Sequence, residues 1–353
     1  MLSLFPASLS LLAPPPTVAT VSLGTLKVSP VGMGTLNFPL DKDEDPATRE
    51  AVKAALEQGV SLIDTAEAYG FGKSEKLTRW ALDELGATKE NVAVATKFAP
   101  VPWREGAESV VDACRASAER LGVASIDLYQ IHFPDIIQPF KAFGLERRKE
   151  EEFWDGLAKC YELGLATNVG VSNYGPNLVT RAHEALAKRG VPLASNQINL
   201  SLMYRKQVQP TLQRCDELGV KVLGYFPLAN GLLAGRYDPE NLPPFPKSLT
   251  MKKYVVGGVT SGGVTYPEGG AMPLIKELRA IGAERGGRSA AQVAINWVVA
   301  QGAIPIPGAR DAKMAAANAA AMEWSLTEEE VARLEAAADA VGFEFSSGGF
   351  TLE

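Results

Sequence analysis

Apolar and polar positions along the chain fall into a unit that repeats. An amphipathic stretch closes on glycine and a short, largely apolar run follows it. "LEQG" gives way to "VSLID", "ELG" to "NVAVATK", "ERLG" to "IDLYQIH" and "YELG" to "TNVGVS"; then "AKRG" to "SNQIN", "DELG" to "KVLGYFP" and "VAQG" to "AIPIPG". A helix ends readily on a residue in the left-handed conformation, which glycine adopts without a Cβ penalty. The runs that follow are short and β-branched, as strands buried on both faces are. Within "AESVVDACRASAERLG", Val110, Val111, Cys114, Ala118 and Leu121 recur at three- and four-residue steps and make one apolar face. Asp45-Pro46 supplies an N-cap and a first-turn proline ahead of "ATREAVKAALEQG".

A first strand at about Val28–Thr35 brings the count to eight βα units. Strands and helices alternating at this count predict an α/β fold, the (β/α)8 TIM barrel, as a single domain over residues 21–345. Residues 1–20 then form an N-terminal extension and 346–353 a C-terminal tail. Two connections, roughly 133–150 and 230–270, are too long for simple βα loops, and long loops in compact domains are usually functional or disordered.

Side chains at the C-terminal ends of barrel strands converge on one mouth. Reading only those ends gives Asp64, Lys97, His132, Ser172 with Asn173, Gln197 and Tyr225, and Tyr69 follows Asp64 by five residues. Each alone has an ordinary structural explanation: a packing aromatic, a solvated strand end, a hydrogen-bonded core histidine. Together they point to chemistry. A lysine inside "NVAVATKFAP" is costly to bury without a partner, and Asp64 is the obvious one. A nearby ammonium would also lower the pKa of Tyr69 from its reference of about 10 toward useful acidity.

A competing motif fails on spacing. Gly72-Lys73-Ser74 resembles the end of a phosphate-binding P-loop, but the position that needs the first glycine is Glu67, a carboxylate. A dinucleotide fingerprint is absent too, since Gly32-Met33-Gly34 is followed by Asn37 rather than a third glycine.

Composition narrows the function class further. The 353 residues are 46% hydrophobic with a net charge of -6, enough apolar content for a large core. No Lys/Arg block or basic-aromatic stripe is present, which argues against nucleic acid as a partner. Cys114, Cys160 and Cys215 lie far apart with no C-x-x-C pair, so neither a disulfide framework nor a metal site is expected. No run of about eighteen apolar residues suggests a membrane span. The opening "MLSLFPASLSLLAPPPTVAT" has no charge before Lys27 and fits neither a secretory signal nor an arginine-bearing transit peptide cleanly. A short targeting extension and a disordered arm both remain open.

The stretches "IDTAEAYG", "VATK", "LYQIH", "GVSNYG", "NQIN", "GYFPL" and "PIPGAR" occur in an order that resembles the aldo-keto reductases over about residues 21–340. Through "TKFAPVPWR", "GVSNYGP", "RGVPLASNQ" and "CDELGV" the chain is similar to the plant-type plastid branch, which includes pyridoxal-reductase-like members. The resemblance implies NADPH-dependent reduction of an aldehyde or ketone to an alcohol, with Tyr69 as proton donor, Lys97 and Asp64 tuning it and His132 orienting the carbonyl. It implies that Ser172, Asn173 and Gln197 hold the nicotinamide carboxamide and that Tyr225 stacks on its ring. Pro227, Leu228, Gly231, Leu232, Gly308, Arg310, Lys313 and Asn318 would line the rest of the NADP(H) site.

Trp103 and Phe133, which follow the strand ends bearing Lys97 and His132, could wall a substrate pocket. Phe226, Met314 and Ala317 depart from family habit near the cofactor phosphates and adenosine. The implied partner is a small carbonyl compound and the implied location a plastid, with the cytoplasm as alternative; oligomeric state is not legible. A cofactor-binding regulatory or redox-sensing module with little turnover is the competing function.

Overall fold

The computed structural model describes residues 18–135, 150–244, 247–261 and 263–343, with side chains not described at 247–250. Most of the 1–20 extension, the greater part of the 133–150 connection and the 346–353 tail lie outside the described residues.

Eight parallel strands lie in chain order: β1 (Met33–Gly34), β2 (Leu62–Asp64), β3 (Ala93–Phe98), β4 (Leu128–Ile131), β5 (Val169–Ser172), β6 (Leu193–Asn199), β7 (Lys221–Tyr225) and β8 (Ile304–Pro305). The last strand also bonds to the first. The Gly32 N–H donates to Pro305 O at 2.9 Å and the Gly34 N–H to Pro307 O at 3.1 Å, which closes the sheet into a barrel. Closure needs small residues there, because a Cβ on Gly34 would sit 2.9 Å from Ile306 O.

Around the strands run α1 (Pro46–Glu57), α2 (Lys73–Leu85), α3 (Gly106–Leu121), α4 (Glu150–Glu162), α5 (Pro176–Ala187) and α6 (Gln209–Glu217). They are followed by α7 (Lys247–Val255), α8 (Met272–Glu284), α9 (Ala290–Ala300), α10 (Ala312–Ala319) and α11 (Glu328–Asp339). The seven glycines that close the repeating sequence unit, at 59, 86, 122, 164, 190, 219 and 302, all adopt positive φ between 64° and 86°. The helix stops are therefore written into the sequence as left-handed residues, each turning the chain toward the next strand. Asp45 caps α1 as expected, accepting the Thr48 N–H at 2.8 Å.

The start of the barrel differs from the sequence expectation. Val28 does not begin β1 but ends a hairpin in which Val21–Leu23 pairs antiparallel with Leu26–Val28. Leu23 and Val28 pack with Leu62, Ala95, Leu128, Leu223 and Ile304, so the hairpin plugs the barrel floor. Asn168 anchors its turn, accepting the Thr25 N–H at 2.8 Å. Alternation alone could not separate the two segments, since both are short and apolar.

Candidate active site

Because the floor is plugged, the strand ends open into a single mouth, a cleft of about 600 Å³. Asp64, Tyr69, His132, Ser172, Asn173, Gln197 and Tyr225 all line it. Lys97 lies just beneath, fully buried, with Nζ 2.5 Å from Asp64 Oδ1 and 2.8 Å from Thr65 O. The same ammonium sits 5.2 Å from the centroid of the Tyr69 ring. Tyr69 in turn meets His132 edge-on, with centroids 5.6 Å apart. Four residues spread over 69 positions of sequence thus become one contact group, because β2, β3 and β4 are adjacent strands whose ends rise together.

Two glutamines complete the environment of Asp64. Gln197 Nε2 donates to Oδ2 at 2.8 Å, and Gln130 Nε2 approaches the same oxygen at 3.4 Å. Gln130 sits on the inward face of β4 and was not legible as a site residue, because nothing local marks a strand glutamine as inward-facing.

Charge states follow from burial and neighbours. Burial, the largest single effect, would pull Lys97 below the usual lysine range, but Asp64 and Tyr69 together outweigh it and the net shift is upward. Burial pushes the Tyr69 phenol above its ordinary value; Lys97 opposes this and Asp64 reinforces it. The expectation that the ammonium would dominate is therefore corrected: the resting phenol is firmly protonated, and Lys97 limits the rise. His132 is pushed down to about 3 by burial and by the Lys97 charge, and its Nδ1 is enclosed without a partner. The imidazole is neutral at pH 7.

This has a measurable consequence. A histidine whose folded pKa lies below the unfolded value near 6.5 leaves the unfolded chain binding more protons at acid pH. Its contribution is intact above pH 6.5 and is lost progressively as pH falls toward about 3. Thermal melts at pH 7.5 and pH 4.5 should show a smaller acid-induced drop in His132→Gln than in the parent protein. Equal drops would mean that His132 is not held neutral by the fold.

The polar trio is internally wired. Ser172 Oγ donates to Gln197 O at 2.8 Å, and Asn173 Nδ2 donates to His132 O and to Ser172 Oγ, each at 3.0 Å. Tyr225 O–H donates to Asn173 Oδ1 at 2.7 Å, which fixes the phenol ring at the cleft wall. Asn173 holds φ at 63° to make these bonds, a conformation asparagine tolerates better than most residues.

Farther out, Pro227, Leu228, Gly231, Gly308 and Arg310 line the cleft. Three other expected cofactor residues do not. Leu232 is buried behind the wall, Lys313 is exposed, and Asn318 is buried with its Nδ2 donating to Gly308 O at 3.3 Å. Phe133 packs against His132, centroids 5.5 Å apart, but Trp103 is 80% exposed and neither lines the cleft.

Of the departures from family habit, Phe226 and Met314 line it, Phe226 at φ 53°, and Ala317 does not. Thr35, Leu36, Asn37, Asn230, Arg236 and Met251 also line it and were not foreseen. Arg236 adds a second cation to Arg310; its only sequence signal was its place at the end of "LANGLLAGR".

The shape suits an extended anionic dinucleotide. The deep end carries the polar trio and the outer end two arginines. Between them Ala229, Asn230 and Gly231 run at positive φ, the Ala229 and Gly231 N–H groups donating to Phe226 O and Leu228 O at 2.9 and 2.8 Å. Among the described residues no cluster of three or more His, Cys, Asp or Glu is placed to hold a metal ion, and no helix is long and apolar enough to cross a membrane.

Comparison with known proteins agrees with this geometry. The model of the aldo/keto reductase family matches residues 30–339. The chain is 37% identical over 332 residues to the chloroplastic pyridoxal reductase of Arabidopsis thaliana, covering 90% of this chain and 85% of that one. It is 29% identical to a probable aldo-keto reductase of Glycine max, covering 89% and 87%. Among solved structures, the glycerol dehydrogenase of Gluconobacter oxydans superposes with a TM-score of 0.74 at 25% identity, covering 94% of this chain and 98% of that one. The aldo-keto reductase of Bombyx mori, solved in complex with NADP, superposes at 0.67 and 24% identity, covering 93% and 98%. The chain belongs to the aldo/keto reductase family, and is by that membership an NADP-dependent oxidoreductase built on a (β/α)8 barrel.

Proposed function

We propose that the chain reduces an aldehyde to an alcohol with Tyr69 as the proton donor. The observation that carries this is the contact group itself: a buried ammonium and a neutral imidazole flanking one protonated phenol at the cleft floor. NADPH would supply the hydride to the carbonyl carbon. As negative charge grows on the carbonyl oxygen, the Tyr69 proton moves to it, and the Lys97 ammonium offsets the charge left on the phenol. Neutral His132 donates a hydrogen bond that orients the carbonyl. Ser172, Asn173 and Gln197 orient the carboxamide, and Tyr225 provides the flat face beside it.

Pyridoxal is the substrate we favour. The Arabidopsis relative is named for its reduction; Phe133, packed against His132 outside the cleft lining, would act on the substrate ring only through His132. Trp103, at the exposed rim, would act only on entry. NADPH oxidation measured with pyridoxal, benzaldehyde and a short aliphatic aldehyde tests both levels. Turnover of none of them, with tight NADPH binding, would favour a regulatory module. The same relative is named as chloroplastic, and this supports a plastid location. Uniform cytosolic signal from a reporter fused to residues 1–30 would remove that assignment.

Arg310 is our candidate for reading the adenosine 2′-phosphate. It lines the cleft where β8 gives way to α10. Asp311 already caps that helix, accepting the Met314 N–H at 2.8 Å, so the attraction rests on the guanidinium more than on the helix end. Arg310→Ala should weaken NADPH binding by about 10- to 150-fold, since a hydrogen bond to a charged group is worth roughly 1.5–3 kcal/mol. NADH affinity should hardly change. Fluorescence titration of both nucleotides decides the matter, and an equal loss for both would reassign the residue.

A further inference from the structure

The loop that carries Tyr69 leaves β2 at Asp64, and Glu67 lies between the two. Its carboxylate is turned away from the cleft and almost enclosed, with 10% of the side chain accessible. Oε1 accepts the Ala99 N–H at 2.6 Å and a bond from Arg104 Nη1, while Oε2 accepts Arg104 Nη2 at 3.0 Å. Arg104 Nη1 also donates to Ala99 O at 3.1 Å, so both backbone groups of Ala99 enter the same junction. The guanidinium packs over the Phe98 ring, 4.8 Å from its centroid. Arg120 stands 3.9 Å from Oε2 and is engaged mainly with Glu75.

Ala99 is two residues beyond Lys97. A forked carboxylate–guanidinium pair therefore ties the Tyr69 loop to the strand end that carries the ammonium. The Thr65 N–H donates to Ala95 O at 2.8 Å, but beyond Thr65 the backbone tie lengthens, the Glu67 N–H lying 3.5 Å from Lys97 O. We infer that Glu67, held by Arg104, is a positioning residue that sets the register of the Tyr69 phenol over Lys97. The inference rests on the function proposed above and adds to it a residue that touches neither substrate nor cofactor.

Bidentate pairs fix direction as well as distance, and misplacing a reacting group by about 1 Å can cost on the order of 100-fold in rate. Glu67→Ala leaves Arg104 without this acceptor and the loop without its tie. Glu67→Gln keeps an oxygen for the Ala99 N–H and the shape of the side chain. We expect Glu67→Ala to lower kcat by about 10- to 100-fold, with a larger solvent isotope effect because proton transfer becomes limiting. NADPH affinity should stay near that of the parent. Glu67→Gln, which keeps one oxygen for the Ala99 N–H but sets an amide donor against Arg104 Nη2, should fall between the parent and Glu67→Ala in rate.

Hydrogen exchange supplies a reading independent of turnover: the peptide spanning residues 97–101 of the nucleotide-free protein should exchange faster in Glu67→Ala. An unchanged kcat would overturn the inference. So would a loss of kcat matched by equal losses in NADPH affinity and melting temperature, which marks a merely structural residue. A parent protein that reduces no carbonyl compound would overturn the functional reading itself, an outcome separate from any comparison of variants.

Discussion

Replacing Tyr69 by phenylalanine will lower carbonyl reduction by about 100- to 10,000-fold, the range of a general acid's contribution. The substitution keeps the ring that packs edge-on against His132 and removes only the hydroxyl. Neither group flanking the phenol can replace it. Lys97 is sealed beneath the cleft against Asp64, and His132, pushed down to about 3, holds no ionisable extra proton at neutral pH. NADPH affinity should survive, because the residues assigned to the nicotinamide lie on β5, β6 and β7. Stopped-flow reduction together with nucleotide titration checks both halves. Parental rates in the Tyr69→Phe protein would mean that some other donor supplies the proton, and would end the proposed mechanism.

Lys97→Met is expected to damage both rate and stability. The ammonium is the positive charge nearest the phenol, and without it the developing phenolate has no counter-charge in a dry site. The stability loss has a separate origin. Asp64, 2% exposed, would lose its ammonium partner and be left with the Gln197 and Gln130 donors, and breaking a buried pair from one side costs about 3–5 kcal/mol. Adding Asp64→Asn should restore much of the stability and none of the rate. Urea unfolding beside steady-state kinetics separates the two effects. Parallel recovery of both would mean that Lys97 acts on activity only by holding the fold.

How far the sequence carries depends on whether a feature is local. The barrel was legible because each βα unit announces itself: an apolar face, a left-handed glycine, a short buried run. The strand-end side chains were legible for the same reason, since a parallel barrel brings every strand end to one mouth whatever the loops do. Arg236 and Met251 were missed because they reach the cleft from the 230–270 excursion, whose path no periodicity describes. Gln130 was missed because its partners, Asp64 and Ser195, lie 66 and 65 residues away. The net upward shift at Tyr69 was missed because it depends on how completely water is excluded, which a residue's neighbours in sequence do not report.

The hairpin beneath the barrel changes what counts as the whole molecule. The match to the family model begins at residue 30, past Val21–Val28, yet those residues close the floor under Leu62, Leu128, Leu223 and Ile304. Burying Leu23 and Val28 is worth about 3–6 kcal/mol together, a large share of the roughly 5–15 kcal/mol that holds a typical domain folded. A chain trimmed to residues 30–339 would keep every residue assigned to chemistry and still open the barrel to water from below. The residues that react and the residues that seal the fold thus draw different borders on this protein, and the cork belongs to the second.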